Sequence, residues 1–238
     1  MFVLESGPAS GQVVLLVHAL GLDHTMWASQ QAALGEEFRL VMPDLPGLGR
    51  SRLEGPTGLE RSVEACAERL AYGGGPAIVA GVSYGGWVGA MLAARHPKLV
   101  SGLVISGVRP DIPRYLAGFQ AIAFRMTPAR ELRRGDPVPR HELKTERANL
   151  IAATRELTAI DLWSSLKLIT APTVVFAPSR DLFVRHHVSA VAAAVGNAHL
   201  VPLPGGTHLW PVRHPSPLTD HIRALASFGG NEDVCHRR

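Results

Sequence analysis

Apolar residues cluster in short continuous runs separated by longer segments of helical spacing. Gln12 to His18 reads QVVLLVH, the form of a strand buried on both faces. Phe38 to Met42, Pro76 to Ala80, Leu99 to Ile105, Thr173 to Ala177 and Ala198 to Val201 repeat that form. Between them, Leu59 to Tyr72 places Val63, Cys66, Ala67 and Leu70 at i, i+3, i+4, i+7, which predicts an amphipathic helix. Tyr84 to Arg95, rich in Gly, Ala, Met and Leu, predicts a closely packed helix. His186 to Val195 and Leu218 to Phe228 predict two more. Alternating strands and helices predict an α/β fold, a mostly parallel sheet flanked by helices on both faces.

One stretch breaks the alternation. Arg109 to Asp161 has no strand pattern but three helix-like pieces, Pro113 to Met126, Pro128 to Arg134 and Arg140 to Ile160. It is expected to form a short helical cap insertion over the C-terminal edge of the sheet. The expected layout is then a single core domain of residues 1–108 and 162–230, the cap at 109–161, and a polar tail at 231–238.

Composition narrows the class. Of 238 residues, 46% are apolar and only 18% charged, enough for a sizeable core and unlike a disordered chain. No apolar run reaches the roughly 18 residues needed to cross a bilayer. The first residues lack the basic-then-apolar pattern of a signal peptide. The expectation is a cytoplasmic protein with no membrane or nucleic-acid partner, since the formal charge of +4 comes from scattered residues. The two cysteines suit a reducing compartment, and neither has ligands at zinc spacing. Gly73-Gly74-Gly75 lacks the Lys-Ser/Thr of a phosphate loop. No metal and no cofactor are expected.

The chemistry starts at "AIVAGVSYGGWVGA", Ala77 to Ala90. Ser83 sits in G-x-S-x-G between a strand and a helix. A sharp turn there lifts the hydroxyl above the sheet, and a Cβ at Gly81 or Gly85 would clash with its neighbours. The helix N-terminus favours negative charge developing beside Ser83. Three segments follow other strands: "VHALGLDHTMW" from Val17, "PDLPGLGRS" from Pro43 and "GGTHLWPVRHP" from Gly205. With GVSYGG, and in this order, they resemble the α/β-hydrolase family over nearly the whole chain. In layout the chain is similar to small bacterial serine esterases of that family, including those that cleave pimeloyl-carrier-protein methyl ester. Its opening, MFVLESG, resembles the family's second strand.

A serine hydroxyl needs a base to attack at neutral pH. His208, in a Gly-rich loop after the last strand, is the expected base. The base needs a carboxylate to fix its tautomer. The resemblance implies Asp181, just past TVVFA, in the chain order Ser, Asp, His. Asp161 and Asp111 compete for that role, and Asp181 has the alternative of capping a helix. The resemblance also implies that the backbone N–H groups of Leu20 and Tyr84 form the oxyanion hole. Ala19 stands where the family usually has Gly, which is tolerated at negative φ.

Most of the remaining candidates are read as structural. His18 is expected to hold its loop by hydrogen bonds. Asp44 to Ser51 is expected to be a turn without chemistry, and His214 to be a structural residue at the entry to the following helix. His186 and His187 are adjacent and do not share a helix face. Phe119 and Phe124 of the cap, with Trp210, are candidates for the wall of an acyl pocket. The implied activity is hydrolysis of a small or medium-sized carboxylic ester through an acyl-enzyme on Ser83. A lactone, a thioester or a C–C bond is the alternative substrate in the same fold. A triad-bearing ligand receptor, or a lyase or cyclase, is the alternative of another class.

Overall fold

The structure, a computed structural model, describes residues 1–51, 55, 57–73, 75–126 and 140–229; the side chains of 123–125, 140–145 and 228–229 lie outside that description. Seven strands form one sheet: β1 (Val3–Ser6), β2 (Val13–Val17), β3 (Arg39–Pro43), β4 (Ala77–Val82), β5 (Val100–Ser106), β6 (Thr173–Pro178) and β7 (Ala198–Leu203). Their order is β1-β3-β2-β4-β5-β6-β7. β1 runs antiparallel to β3 and every other pairing is parallel.

The apolar runs are continuous because alternate residues enter two different cores. Leu15 and Val17 of β2, Val79 of β4 and Leu103 and Ile105 of β5 face one core. Val14, Leu16, Ile78, Ala80 and Val104 face the other. A strand covered on both faces has no side left for polar residues. Fully burying one such Val, Leu or Ile contributes about 1.5–3 kcal/mol.

The first core is covered by α2 (Leu59–Tyr72), α3 (Tyr84–Arg95), α6 (Leu162–Leu166) and α7 (Val188–Ala194). The second is covered by α1 (Ala28–Leu34) and α8 (Ser216–Gly229). On α2, Val63, Cys66, Ala67 and Leu70 form the buried stripe its spacing predicts. Burial pushes the Cys66 thiol up to about 12. α1 and α6 are additions to the predicted elements. α6 begins at Asp161, which accepts from Ser164 N at its N-cap, so Asp161 starts a short helix and does not end a long one.

Between β5 and β6 the described residues form α4 (Arg114–Met126) and α5 (Arg140–Glu156) before α6. Leu150 and Ala153 of α5 and Leu157 just beyond it enter the first core. Asn149 Nδ2 donates to Gly47 O at 2.9 Å, and Leu59 N donates to Glu156 Oε2 at 2.7 Å. The insertion is therefore anchored to the loop after β3 and to the start of α2. The expected helix over 128–134 and the tail at 231–238 lie outside the described residues.

Candidate active site

β4 ends in a turn that only small residues allow. A Cβ on Gly81 would lie 2.1 Å from Gly85 O, and one on Gly85 would lie 2.1 Å from Val17 O. Both are far inside contact distance, so the strand, the helix α3 and the end of β2 meet backbone to backbone. Ser83, at the apex, has φ 57 and ψ −118. Among the described residues it is the sole non-glycine at positive φ. Such a conformation stores strain and persists because the surroundings over-determine it. Ser83 N donates to Ser106 O at 2.8 Å, which ties the apex to the end of β5.

Asp181 and His208 come from the loops after β6 and β7. These strands are parallel neighbours, so both loops leave the same edge of the sheet as Ser83. His208 Nδ1 lies 2.6 Å from Asp181 Oδ2, with the carboxylate buried and the imidazole about one third exposed at 34%. The other carboxylate oxygen, Oδ1, accepts from Phe183 N at 3.2 Å. Asp181 thus fastens its own loop and holds the imidazole at once, so the capping alternative does not turn it away from His208. The competing acids are engaged elsewhere. Asp161 caps α6, and Ser164 beside it holds its carboxyl below the usual aspartate range. Asp111 pairs with His187 Nδ1 at 3.2 Å.

Two residues that the sequence reading missed complete the surroundings of the imidazole. Gly107, at φ 69, packs so closely that a Cβ on it would lie 3.0 Å from His208 Cε1 and 3.3 Å from Ser83 N. One point in space therefore touches both Ser83 and His208. The Phe183 ring meets the imidazole edge to face, centroids 5.9 Å apart, and Arg109 Cζ lies 5.5 Å from the centroid of the Phe183 ring. A glycine after a strand and a phenylalanine two past the acid are the signals in the sequence. Neither distinguishes a site residue from an ordinary loop.

The loop after β2 reaches the same edge. Gly85 packs on Val17 O and His18 O, which sets the segment carrying Leu20 against the first turn of α3 and Tyr84. Ala19 is buried and lies outside the positive-φ set, so its methyl group fits. His18 is fully buried. Its Nδ1 pairs with Ala19 O at 2.9 Å and its Nε2 accepts from Leu45 N at 3.0 Å, an arrangement of the neutral ring with the proton on Nδ1. Burial pulls its pKa below the ordinary 6.5.

Asp44 is more than a turn residue. It is fully buried, and its Oδ1 lies 2.7 Å from both His24 N and His24 Nδ1. Oδ2 accepts from Arg50 N at 2.8 Å. With Asp23 these side chains bring three metal-ligating atoms within 4.8 Å of one another. The His24 and Arg50 N–H groups aimed at Asp44, with the N–H and the hydroxyl of Thr25 donated to Asp23, make this a hydrogen-bonded lock between two loops.

Two of the expected pocket residues stand in different surroundings. Trp210 is fully buried in the second core, its ring 4.6 Å from that of Phe176 and its Nε1 donating to Ser106 Oγ at 2.9 Å. Phe119 is 67% exposed on α4. Trp210 serves the core, and Phe119 is open to solvent on the insertion. The side chain of Phe124 lies outside the described residues.

A mostly parallel sheet bearing a strained serine turn, with a carboxylate–imidazole pair on the same edge, defines an α/β hydrolase. The profile of the Alpha/beta hydrolase family matches residues 14–220, and the chain belongs to that family. Among named relatives, the pimeloyl-(acyl-carrier protein) methyl ester esterase of Sodalis glossinidius (strain morsitans) is 36% identical over 146 residues, 56% of this chain and 51% of that protein. A protein of the same name from Edwardsiella ictaluri (strain 93-146) is 26% identical over 249 residues, covering 93% of this chain and 94% of that one. A solved hydrolase from Pseudomonas aeruginosa PA01 superposes with a TM-score of 0.75 at 27% identity, covering 94% of this chain and 93% of its own.

Proposed function

We propose that the protein is a serine hydrolase that cleaves a carboxylic ester of a small or medium-sized molecule through an acyl-enzyme on Ser83. The observation that carries this reading is the 2.6 Å Asp181–His208 hydrogen bond on the sheet edge where Ser83 holds its strained turn. Esterase relatives support the same reading.

With Nδ1 held by Asp181, His208 presents Nε2 to the serine. It accepts the Ser83 proton as Oγ bonds to the carbonyl carbon. The oxyanion is stabilised by the Leu20 and Tyr84 N–H groups. Collapse breaks the C–O bond, and the imidazolium returns its proton to the departing alcohol. Water, deprotonated by His208, then bonds to the acyl carbon and Ser83 leaves as the hydroxyl. No cofactor enters these steps. Residues 109–161 serve as a cap that limits the acyl group. The cellular setting in this reading is the cytoplasm.

A fluorophosphonate probe tests the reading. Labelling at Ser83, lost in Ser83→Ala, together with many turnovers on p-nitrophenyl esters, is the expected result. Labelling with at most one turnover points to a ligand receptor. Turnover of a natural substrate that survives Ser83→Ala points to a lyase or cyclase. Across a chain-length series the expected preference is for short acyl groups, and best rates at about ten carbons or more would contradict the proposed cap.

A further inference from the structure

We infer that Trp210 and Ser106 form a positioning strut that sets the distance between the His208 loop and Ser83. The inference rests on the reading of Ser83 and His208 as nucleophile and base.

β7 lies three places from β4 in the sheet, a span of about 14 Å at ordinary strand spacing. The loop that leaves β7 must therefore bring His208 back across β6 and β5. The His208–Asp181 bond fastens the imidazole to the loop after β6, which is still two strands from β4. Arg180 N donates to Gly206 O, again on the β6 side. Gln30 Nε2 donates to Pro211 O at 2.8 Å and ties the loop to α1. Among the described residues, one side-chain hydrogen bond links this loop to β5, the strand beside β4. It runs from Trp210 Nε1 to Ser106 Oγ at 2.9 Å, and both residues are buried.

Ser106 holds both sides of the site. Its carbonyl oxygen accepts the peptide N–H of Ser83 at 2.8 Å, and its hydroxyl accepts the indole N–H two residues beyond His208. At the next residue, Gly107, an added Cβ would lie within 3.3 Å of both the imidazole and Ser83 N, so the two sides meet over this glycine. The indole cannot shift to follow a displaced loop, because its ring packs on Phe176 of β6. The serine, the strand end and the base loop are thus one rigid unit. Placement errors of about 1 Å between reacting groups cost on the order of 100-fold in rate, so the strut acts on catalysis through His208.

The test compares Trp210→Phe, which removes the N–H and keeps an aromatic ring, with Ser106→Ala, which removes the acceptor. Thr173→Val serves as the control. It deletes a buried hydroxyl bonded to Ala171 O at the opposite end of β6. Each is assayed on a p-nitrophenyl ester per fluorophosphonate-titrated site, with melting temperature measured alongside. The expected result is a kcat about 30- to 100-fold lower in Trp210→Phe and in Ser106→Ala, KM within about twofold, and a control that loses stability without losing kcat. The kcat/KM pH profile should fall in amplitude with its midpoint unmoved, because the Asp181 bond to His208 is intact. If Trp210→Phe does not fold, Ser106→Ala carries the same expectation. A kcat per site within about twofold of the wild type in the folded variants overturns the strut and leaves the serine-hydrolase reading standing. A wild-type protein that the probe does not label overturns that reading, and the strut with it.

Discussion

His208 Nδ1 and Asp181 Oδ2 lie 2.6 Å apart, joining the loops that follow two neighbouring strands. The acid is buried and the base is partly open to solvent. A buried carboxylate in this place keeps the imidazole proton on Nδ1 and leaves Nε2 free to accept. In the proposed mechanism, Asp181→Asn keeps the shape and loses that control of the tautomer. The expected outcome is a kcat on p-nitrophenyl esters lower by roughly 1,000-fold or more, with a circular dichroism spectrum like that of the wild type. Near-normal rates would remove Asp181 from the mechanism.

The glycines around Ser83 make a second prediction, about folding. Gly81→Ala and Gly85→Ala each place a methyl group 2.1 Å from a backbone oxygen, and backbone cannot yield as a flexible side chain does. Each is expected to cost about 3 kcal/mol or more, or to prevent recovery of folded protein. Gly118→Ala is the counter-case. It lies within α4 with nothing within 4 Å of the added methyl, and is expected to stabilise by about 0.5–1 kcal/mol. Urea unfolding of the three variants checks the ordering.

The parts of the fold that could be read from the sequence are those where one physical demand governs a run of residues. β2 reads as a strand because both its faces are buried, and Gly81 and Gly85 read as a turn because no other residue fits. The acid position came from the resemblance to the α/β-hydrolase family, with the buried run TVVFA marking the strand before it, whereas AHLV before the base loop is only partly buried and gives a weaker signal. What escaped reading is decided by tertiary partners. Ala28–Leu34 carries little large apolar surface, so α1 leaves a faint periodic signal. Asp44 sits in a Pro-Gly turn like many surface aspartates, and nothing near it in sequence announces that His24 and Arg50 will close over it. Trp210 and Phe119 are both aromatic residues in segments flanking the site. Residue type alone does not say that one packs on Phe176 and the other faces solvent.

Asp44 supplies the next prediction. Its carboxylate takes N–H groups from both His24 and Arg50 in a fully buried place, so removing it leaves those donors without an acceptor. Asp44→Ala is expected to destabilise by about 1–3 kcal/mol. The donors already occupying Asp44 and Asp23 also predict that zinc or EDTA leaves the melting temperature unchanged. A rise of several degrees with zinc would make the Asp23–His24–Asp44 group a metal site.

His18 predicts a pH dependence whose sign is fixed by burial. Desolvation holds its folded-state pKa below the 6.5 of a free imidazole, while the unfolded chain keeps that ordinary value. Above about pH 6.5 the ring is neutral in both states, and its contribution to stability is fully present. As pH falls below 6.5 the unfolded chain takes up a proton that the folded chain refuses. Stability then drops by up to about 1.4 kcal/mol per pH unit, until the folded-state value is reached. Protonation of the folded ring would also put an N–H where Nε2 now accepts from Leu45 N, breaking the contact that joins the β2 and β3 loops. His18→Gln can still offer an acceptor to Leu45 N and does not titrate. Its unfolding free energy is therefore expected to decline less than that of the wild type between pH 7 and pH 5. Urea melts of both proteins across that range provide the measurement, and parallel declines would show that His18 is not the group responsible.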